Sequence, residues 1–167
     1  MLRLVAIFLV VFGPMLLEAR RAAANERVQR ARGGIEPRND VYAFMQVAYP
    51  GVFLAMLAEG AWRDMGWDGW FVTGLVILGT AKALKYWAIS WLGERWTFRV
   101  LVPPGAPRVT GGPYAWMAHP NYVAVAGEIA GCAIAAHAIV SGPVAFVLFG
   151  LLMLWRIRVE ERALGRK

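Results

Sequence analysis

The sequence predicts an all-α, polytopic membrane protein with about five transmembrane helices, organised as one domain over residues 1–167. Of its 167 residues, 59% are apolar and 17% are charged, whereas soluble domains carry about 45–50% apolar and about 25% charged residues. The mean hydropathy is +0.48. A transmembrane helix needs about 20 mostly apolar residues, so five helices and their loops account for the length. The composition excludes a soluble enzyme, a disordered chain and a collagen-like repeat.

Five apolar runs follow one another along the chain, and each predicts one span. They cover residues 4–17, 41–62, 67–84 with an amphipathic continuation to 92, 122–140 and 144–155. Ser141-Gly142-Pro143 separates the last two runs and predicts a tight turn between antiparallel helices.

The basic residues predict the orientation of the spans. With the amino terminus outside, segments 18–40, 82–121 and 156–167 lie on the cytoplasmic side and contain sixteen of the eighteen Lys and Arg residues. Such a bias is typical of the positive-inside rule. The net charge of +7 therefore indicates membrane topology and a cytoplasmic carboxyl terminus, and we expect no nucleic-acid partner. The alternative for the first run, a cleaved signal peptide, would leave four spans and lose this asymmetry.

Several kinds of chemistry are excluded by residue counts and absent motifs. One cysteine, Cys132, and two histidines far apart in sequence predict neither a disulfide framework nor a metal site. The chain contains no dinucleotide-binding glycine motif, Walker lysine, serine nucleophile elbow or kinase signature.

The connection 93–121 is the longest predicted loop. Its many prolines and glycines prevent it from forming one helix. Long ordered loops are more often functional than idle, and its aromatic residues need burial or a membrane interface. The alternative is a tether between two helices.

His119-Pro120 marks the predicted start of the fourth helix. Proline is favoured at the first helical position, so His119 is expected at the N-cap, beside unpaired N–H groups that attract anions. The alternative is an ordinary helix start with an interfacial histidine. A second polar cluster, Arg156 with Glu160 and Glu161, lies where the fifth helix leaves the membrane on the same side. Its alternative is a salt-bridged helix end.

Other polar residues lie inside predicted spans. Glu128 is a functional candidate because ionisable groups at membrane depth are costly, although it could instead bond to a neighbouring helix or to Lys82 or Lys85. We interpret His137 as structural, and Glu59 and Cys132 as packing residues.

The order and spacing of several short motifs resemble the isoprenylcysteine carboxyl methyltransferase family, most strongly over residues 85–164. The motifs shared with the family are Gly112-Pro113-Tyr114, His119-Pro120-Asn121-Tyr122, and Arg156 with Glu160-Glu161 and Leu164. Three further stretches resemble its bacterial branch: Lys85-Tyr86-Trp87, Leu92-Gly93-Glu94-Arg95-Trp96 and the segment 25–36. The resemblance implies an integral membrane methyltransferase that uses S-adenosyl-L-methionine in a cytoplasmic pocket and takes a lipophilic acceptor from the bilayer.

The resemblance also implies roles for individual residues. Cofactor contacts are implied for Gly112, Tyr114, His119, Pro120, Tyr122 and Glu160. Arg156 and Glu161 would orient or activate the acceptor. Two positions depart from the family pattern, because Ala115 and Ala118 stand where arginines are usual. The contact of such an arginine is then missing or is supplied by Arg95, Arg99 or Arg108.

The acceptor class and two rival functions follow from the same motifs. A carboxylate acceptor, as in prenylated cysteine, would need no base and would pair with Arg156. A long-chain phenol or pyrone would need a base, for which Glu161 or His119 is suitable. The rivals are a phospholipid amine methyltransferase and a membrane binding or scaffold protein that has lost activity.

Overall fold

A computed structural model describes residues 1–37, 40–63, 66–105 and 107–165, and five helices dominate it. They are α1 (Leu2–Ala31), α2 (Tyr42–Trp62), α3 (Gly69–Leu92), α4 (Pro120–Ala135) and α5 (Ser141–Ala163). Within the described ranges, the remaining regular structure is two 3₁₀ turns, Gly93–Arg95 and Gly112–Ala115, and one isolated antiparallel bridge between Ile35 and Val102. The predicted all-α architecture is confirmed.

Four helices in the described part of the chain are long and apolar enough to cross a membrane: α1, α2, α5, and α3 with the turn that follows it. The fourth helix is shorter than the sequence predicts. It has 16 residues, about 24 Å at 1.5 Å per residue, against a hydrocarbon core of about 30 Å. The predicted end near Val140 is wrong because His137 adopts a positive φ of 53° and the chain turns over residues 136–140.

The predicted turn at Ser141-Gly142-Pro143 is wrong for a related reason. These residues form the first turn of α5, where a proline does not disrupt helical hydrogen bonding. Glu59 receives hydrogen bonds from the backbone N–H groups of Val140 (3.1 Å) and Ser141 (2.7 Å). Glu59 is therefore a cap for the start of α5, and its interpretation as a packing residue is corrected.

Helix α1 continues well past the apolar run that predicts it. The segment 18–31, predicted as part of a loop, is helical because it is rich in alanine, arginine and glutamate, which favour helices. In this extension Asn25 Nδ2 donates to the carbonyl of Trp96 (2.7 Å), and Gln29 Nε2 donates to that of Glu94 (2.9 Å). The extension therefore anchors the beginning of the 93–121 connection.

Helices α3 and α4 pack closely through glycines. A Cβ on Gly74 would lie 2.2 Å from the backbone nitrogen of Ala135, and one on Gly131 would lie 2.6 Å from that of Leu78. Small residues permit such backbone approach in membrane helices. These contacts lie near the carboxyl-terminal end of α4 and hold that end of the helix against α3.

Two basic residues counted on the cytoplasmic side are placed differently by the structure. Lys82 and Lys85 are buried within α3, so they do not belong to an inner loop. They lie there because carboxylates of α1 and α4 neutralise them. Arg38, Arg166 and Lys167, also in that count, lie outside the described residues.

Candidate functional site

A cavity of about 680 Å³ lies between the helices and the 93–121 connection. All five helices contribute to its lining: Ala19 and Ala23 of α1, Tyr42 and Met45 of α2, Lys85 and Leu92 of α3, Tyr122 and Val125 of α4, and Phe149 and Arg156 of α5. Its volume is in the range of small-molecule sites. The 93–121 connection covers this cavity, which a simple tether between helices would not do.

A polar region of the cavity lies at the start of α4. His119 is the N-cap of that helix and Pro120 its first residue, as the sequence predicts. Arg156 Nε donates to the hydroxyl of Tyr122 at 2.9 Å, and this hydroxyl donates to Glu160 Oε2 at 2.9 Å. Arg156 and Glu160 are four residues apart on α5, so they lie on one helix face. Both side chains contact the Tyr122 hydroxyl.

The Arg156 guanidinium is buried and is occupied by protein partners. Its Nη1 lies 3.3 Å from Asp40 Oδ1, and its Nη2 donates to the carbonyl of Phe98. The Asp40 carboxylate also accepts a 2.9 Å bond from the N–H of Val100. Arg156 therefore connects α5 to the segment before α2 and to the 93–121 connection.

His119 lies between the two glutamates of α5. Its Nε2 is 3.3 Å from Glu161 Oε1, and its Nδ1 is 3.9 Å from Glu160 Oε2. The side chain of His119 is 15% exposed and that of Glu161 36% exposed. The motif that starts α4 and the acidic pair that ends α5 thus form one cluster.

The structure brings together most of the predicted site residues. Five of the eight line the cavity: Tyr114, His119, Tyr122, Arg156 and Glu160. Gly112, Pro120 and Glu161 are absent from its lining. Burial and the nearby Glu160 carboxylate raise the pKa of Tyr114 above that of an ordinary phenol, so its hydroxyl remains a donor at neutral pH.

Gly112 supports the site from outside the cavity. Its φ of +58° is a conformation that other residues rarely adopt, and a Cβ there would lie 2.2 Å from Trp91 Nε1. The glycine is therefore required for the 93–121 connection to pack on the end of α3, directly before Tyr114.

Glu128 belongs to a buried group of charges, so the second of its two interpretations is confirmed. Lys82 Nζ lies 3.0 Å from Glu128 Oε1, Lys85 Nζ lies 2.7 Å from Glu18 Oε2 and 3.4 Å from Glu128 Oε2, and Tyr49 donates to Glu128. Two lysines and two glutamates balance in charge and connect α1, α3 and α4. Lys85 and Tyr49 also line the cavity.

Sequence reasoning missed three partners in this region. Asp40 is 116 residues from Arg156 in the sequence, and Glu18 directly follows the first apolar run, far from Lys85 in the sequence. Neither position therefore indicates which residue the carboxylate contacts. Phe98 contributes only its carbonyl to Arg156, a contact that any residue type can make.

Two other residues named in the sequence analysis lie away from the site. Cys132 is buried in the core, and His137 lies 3.2 Å from Asp68, which caps α3.

One polar atom beside the cavity is unpaired among the described residues. Asn121, beside Pro120, lines the cavity, and its Oδ1 is buried without a hydrogen-bond partner among the described residues. Buried polar atoms are normally paired, so this oxygen suits a ligand donor. Among these same residues, no group of three or more His, Cys, Asp or Glu side chains is arranged to hold a metal ion.

Comparisons with known proteins identify similar sequences. Residues 72–166 match the isoprenylcysteine carboxyl methyltransferase (ICMT) family. The uncharacterized protein YpbQ of Bacillus subtilis (strain 168) is 30% identical over 161 residues, which cover 96% of this chain and 94% of YpbQ. An uncharacterized protein of Haemophilus influenzae is 23% identical over 142 residues, 84% of this chain and 83% of that protein. No solved structure matches the chain.

Proposed function

The chain belongs to the isoprenylcysteine carboxyl methyltransferase family, a family of membrane methyltransferases, and on that premise we propose that it uses S-adenosyl-L-methionine to methylate a lipophilic acceptor. One observation carries the proposal. A single cavity contains both the polar cluster of His119, Tyr122 and Glu160 and apolar side chains from within the membrane-spanning helices, including Met15 and Leu16.

The polar end of the cavity fits the cofactor. When bound, S-adenosyl-L-methionine supplies an electrophilic methyl group on a sulfonium. Asn121 Oδ1 and the partly exposed Glu160 carboxylate are acceptors for its amino and hydroxyl groups, and Tyr114 supplies a hydroxyl donor. Gly112 and Pro120 act indirectly, by shaping the loop and the helix start that place Tyr114, His119 and Tyr122.

The chain contributes positioning to the reaction, because transfer in line requires the acceptor oxygen to lie against the methyl group. Arg156 fixes Tyr122 and the 93–121 connection through its paired contacts. Asp40 neutralises its charge and protein groups occupy its donors, so Arg156 acts here by positioning. The apolar walls exclude water from the reacting atoms.

The cluster of His119 and Glu161 can accept a proton from a phenol or enol acceptor. If His119 Nε2 donates to Glu161 Oε1, the Nδ1 atom is left as the basic nitrogen facing Glu160. Glu161 then orients the imidazole. A carboxylate acceptor, already ionised, would not use this step.

The acceptor class follows from the apolar part of the cavity. Met15 and Leu16 of α1 and Pro50 of α2 line it at positions within spanning helices, so a hydrocarbon chain can extend from the bilayer towards Tyr122. A prenylcysteine-type carboxylate and a long-chain phenol or pyrone both have this form.

The orientation proposed with this site has the amino terminus outside and the carboxyl terminus in the cytoplasm. A reporter fused after Lys167 should therefore read cytoplasmic, and an external signal would contradict it.

Binding of cofactor tests the proposal without knowledge of the acceptor. Calorimetry on the detergent-solubilised chain should detect S-adenosylhomocysteine, and Glu160→Gln should weaken that binding. Arg27→Gln is the matched control, because Arg27 is exposed, bonds within its own helix and does not line the cavity. Absence of binding to the unaltered chain at millimolar ligand would refute the proposal.

A further inference from the structure

The cavity is lined by five basic side chains, and their partners divide them into two groups. Lys85 is paired with Glu18 and Glu128, Arg99 with Glu36 (2.6 Å) and Glu26 (3.6 Å), and Arg156 with Asp40. Arg95 and Arg108 also line the cavity. In the described part of the chain, neither of these two arginines is within ion-pair distance of a carboxylate.

A backbone contact brings the Arg95 guanidinium to the residue next to Arg108. Arg95 Nη1 donates to the carbonyl of Pro107, the residue directly before Arg108. Both arginines are exposed, so they stand at the rim of the cavity. Both side chains therefore add positive potential at the rim of the cavity, which favours an anionic ligand there.

We infer that Arg95 and Arg108 form a carboxylate-binding pair at the rim of the cavity, an inference that rests on the proposed function. Guanidinium groups bind carboxylates through paired, charge-assisted hydrogen bonds. The carboxylate belongs either to the amino-acid end of the cofactor or to an acidic lipophilic acceptor.

The same arrangement accounts for Ala118. This residue lines the cavity but carries no charge, so its position before the His119-Pro120 motif supplies no cationic side chain to a ligand. Arg99 cannot take that role without leaving Glu36 and Glu26. Among the described residues, the pair at Arg95 and Arg108 is the cationic feature of the cavity that can bind an anion with every ion pair left intact.

The test compares ligands with and without a carboxylate, bound to the full chain in nanodiscs. S-adenosylhomocysteine and 5′-methylthioadenosine share the nucleoside, but only the first has the amino-acid carboxylate. Palmitate and hexadecanol form a second pair that differs in the carboxylate. The variants are Arg95→Gln/Arg108→Gln, which removes both charges, and Arg27→Gln, which removes one exposed charge elsewhere.

The double variant should lose about tenfold or more in affinity for a carboxylate ligand, the effect of losing charge-assisted hydrogen bonds, and the Arg27→Gln control should lose none. Loss confined to S-adenosylhomocysteine identifies the cofactor as the source, and loss confined to palmitate identifies the acceptor. Unchanged affinity for both carboxylate ligands, or an equal loss for their uncharged counterparts, would overturn the inference. Wild-type protein that binds neither nucleoside would instead refute the proposed function, and the palmitate comparison would still test the arginine pair.

Discussion

Arg156 Nε donates to the hydroxyl of Tyr122 at 2.9 Å, joining the carboxyl-terminal half of α5 to the first turn of α4. The same hydroxyl donates to Glu160, so one phenolic oxygen links a buried cation to a partly exposed anion. Since Arg156 also contacts Asp40 and the carbonyl of Phe98, this link fixes the geometry of the cavity from three directions.

Tyr122→Phe removes that oxygen and keeps the aromatic ring. Arg156 Nε and Glu160 Oε2 each lose a partner, and an unsatisfied buried polar group costs about 1–3 kcal/mol. We expect a lower free energy of unfolding by an amount in this range, and weaker binding of S-adenosylhomocysteine. Chemical denaturation and calorimetry measure the two effects. Unaltered ligand affinity would show that Tyr122 is structural only.

Lys85→Met breaks the buried charge balance among Glu18, Lys82, Lys85 and Glu128. Removal of one partner from a buried ion pair costs about 3–5 kcal/mol, because it leaves an uncompensated charge. Lys85→Met/Glu128→Gln restores neutrality, so it should be less destabilised than the sum of the two single variants. Unfolding titrations of all four proteins measure this coupling. Strict additivity would contradict the described network.

Gly112→Ala should displace the 93–121 connection, because the new Cβ meets the Trp91 indole and the positive φ is unfavourable for alanine. We expect reduced cofactor affinity through misplacement of Tyr114. Gly79→Ala is the matched control, since Gly79 is helical and a Cβ there would have open space around it to 4 Å. Both variants are compared by calorimetry, and equal affinities would contradict the role given to Gly112.

Glu36 predicts a pH dependence of stability. Burial alone would raise the pKa of Glu36, but hydrogen bonds from Arg99 and Arg30 lower it below the ordinary value of 4.5. Because the folded-state pKa is depressed, its stabilisation is complete above about pH 4.5 and is lost as the pH falls through the folded-state value. The site is partly exposed, so the effect should stay below about 1 kcal/mol.

The measurement for Glu36 is the difference in thermal midpoint between wild type and Glu36→Gln across pH 6 to about pH 3. This difference should shrink as the pH falls, because the variant lacks the titrating group. A difference that is constant with pH, or that grows in acid, would contradict the assigned ion pairs.

The helices were largely predictable because a long apolar run indicates a segment buried in lipid. The residues at which the helices begin and end were harder to predict. The segment 18–31 is too polar to read as a span, yet its composition favours helix, and hydropathy alone does not detect it. At the other end of the bundle, residues 136–140 are apolar except for His137, and only the backbone conformation at that residue reveals the turn.

The site was predictable where short motifs carried it. His119, Tyr122 and Glu160 come from two motifs whose order along the chain places them on one side of the membrane. Asp40 and Glu18 were not predictable as partners of Arg156 and Lys85, because those contacts depend on how separate helices pack. The position of Arg108 beside Arg95 depends likewise on the conformation of a long connection.

Transfer of a labelled methyl group tests the central claim most directly. The full chain in membranes is incubated with methyl-labelled S-adenosyl-L-methionine, membrane lipid extract, a farnesylated cysteine and a long-chain alkylresorcinol, and the organic phase is counted. The proposed function predicts label in the organic phase with wild type, strongly reduced by Glu160→Gln and unchanged by Arg27→Gln. Organic-phase label no higher for wild type than for Glu160→Gln, at saturating cofactor, would contradict it.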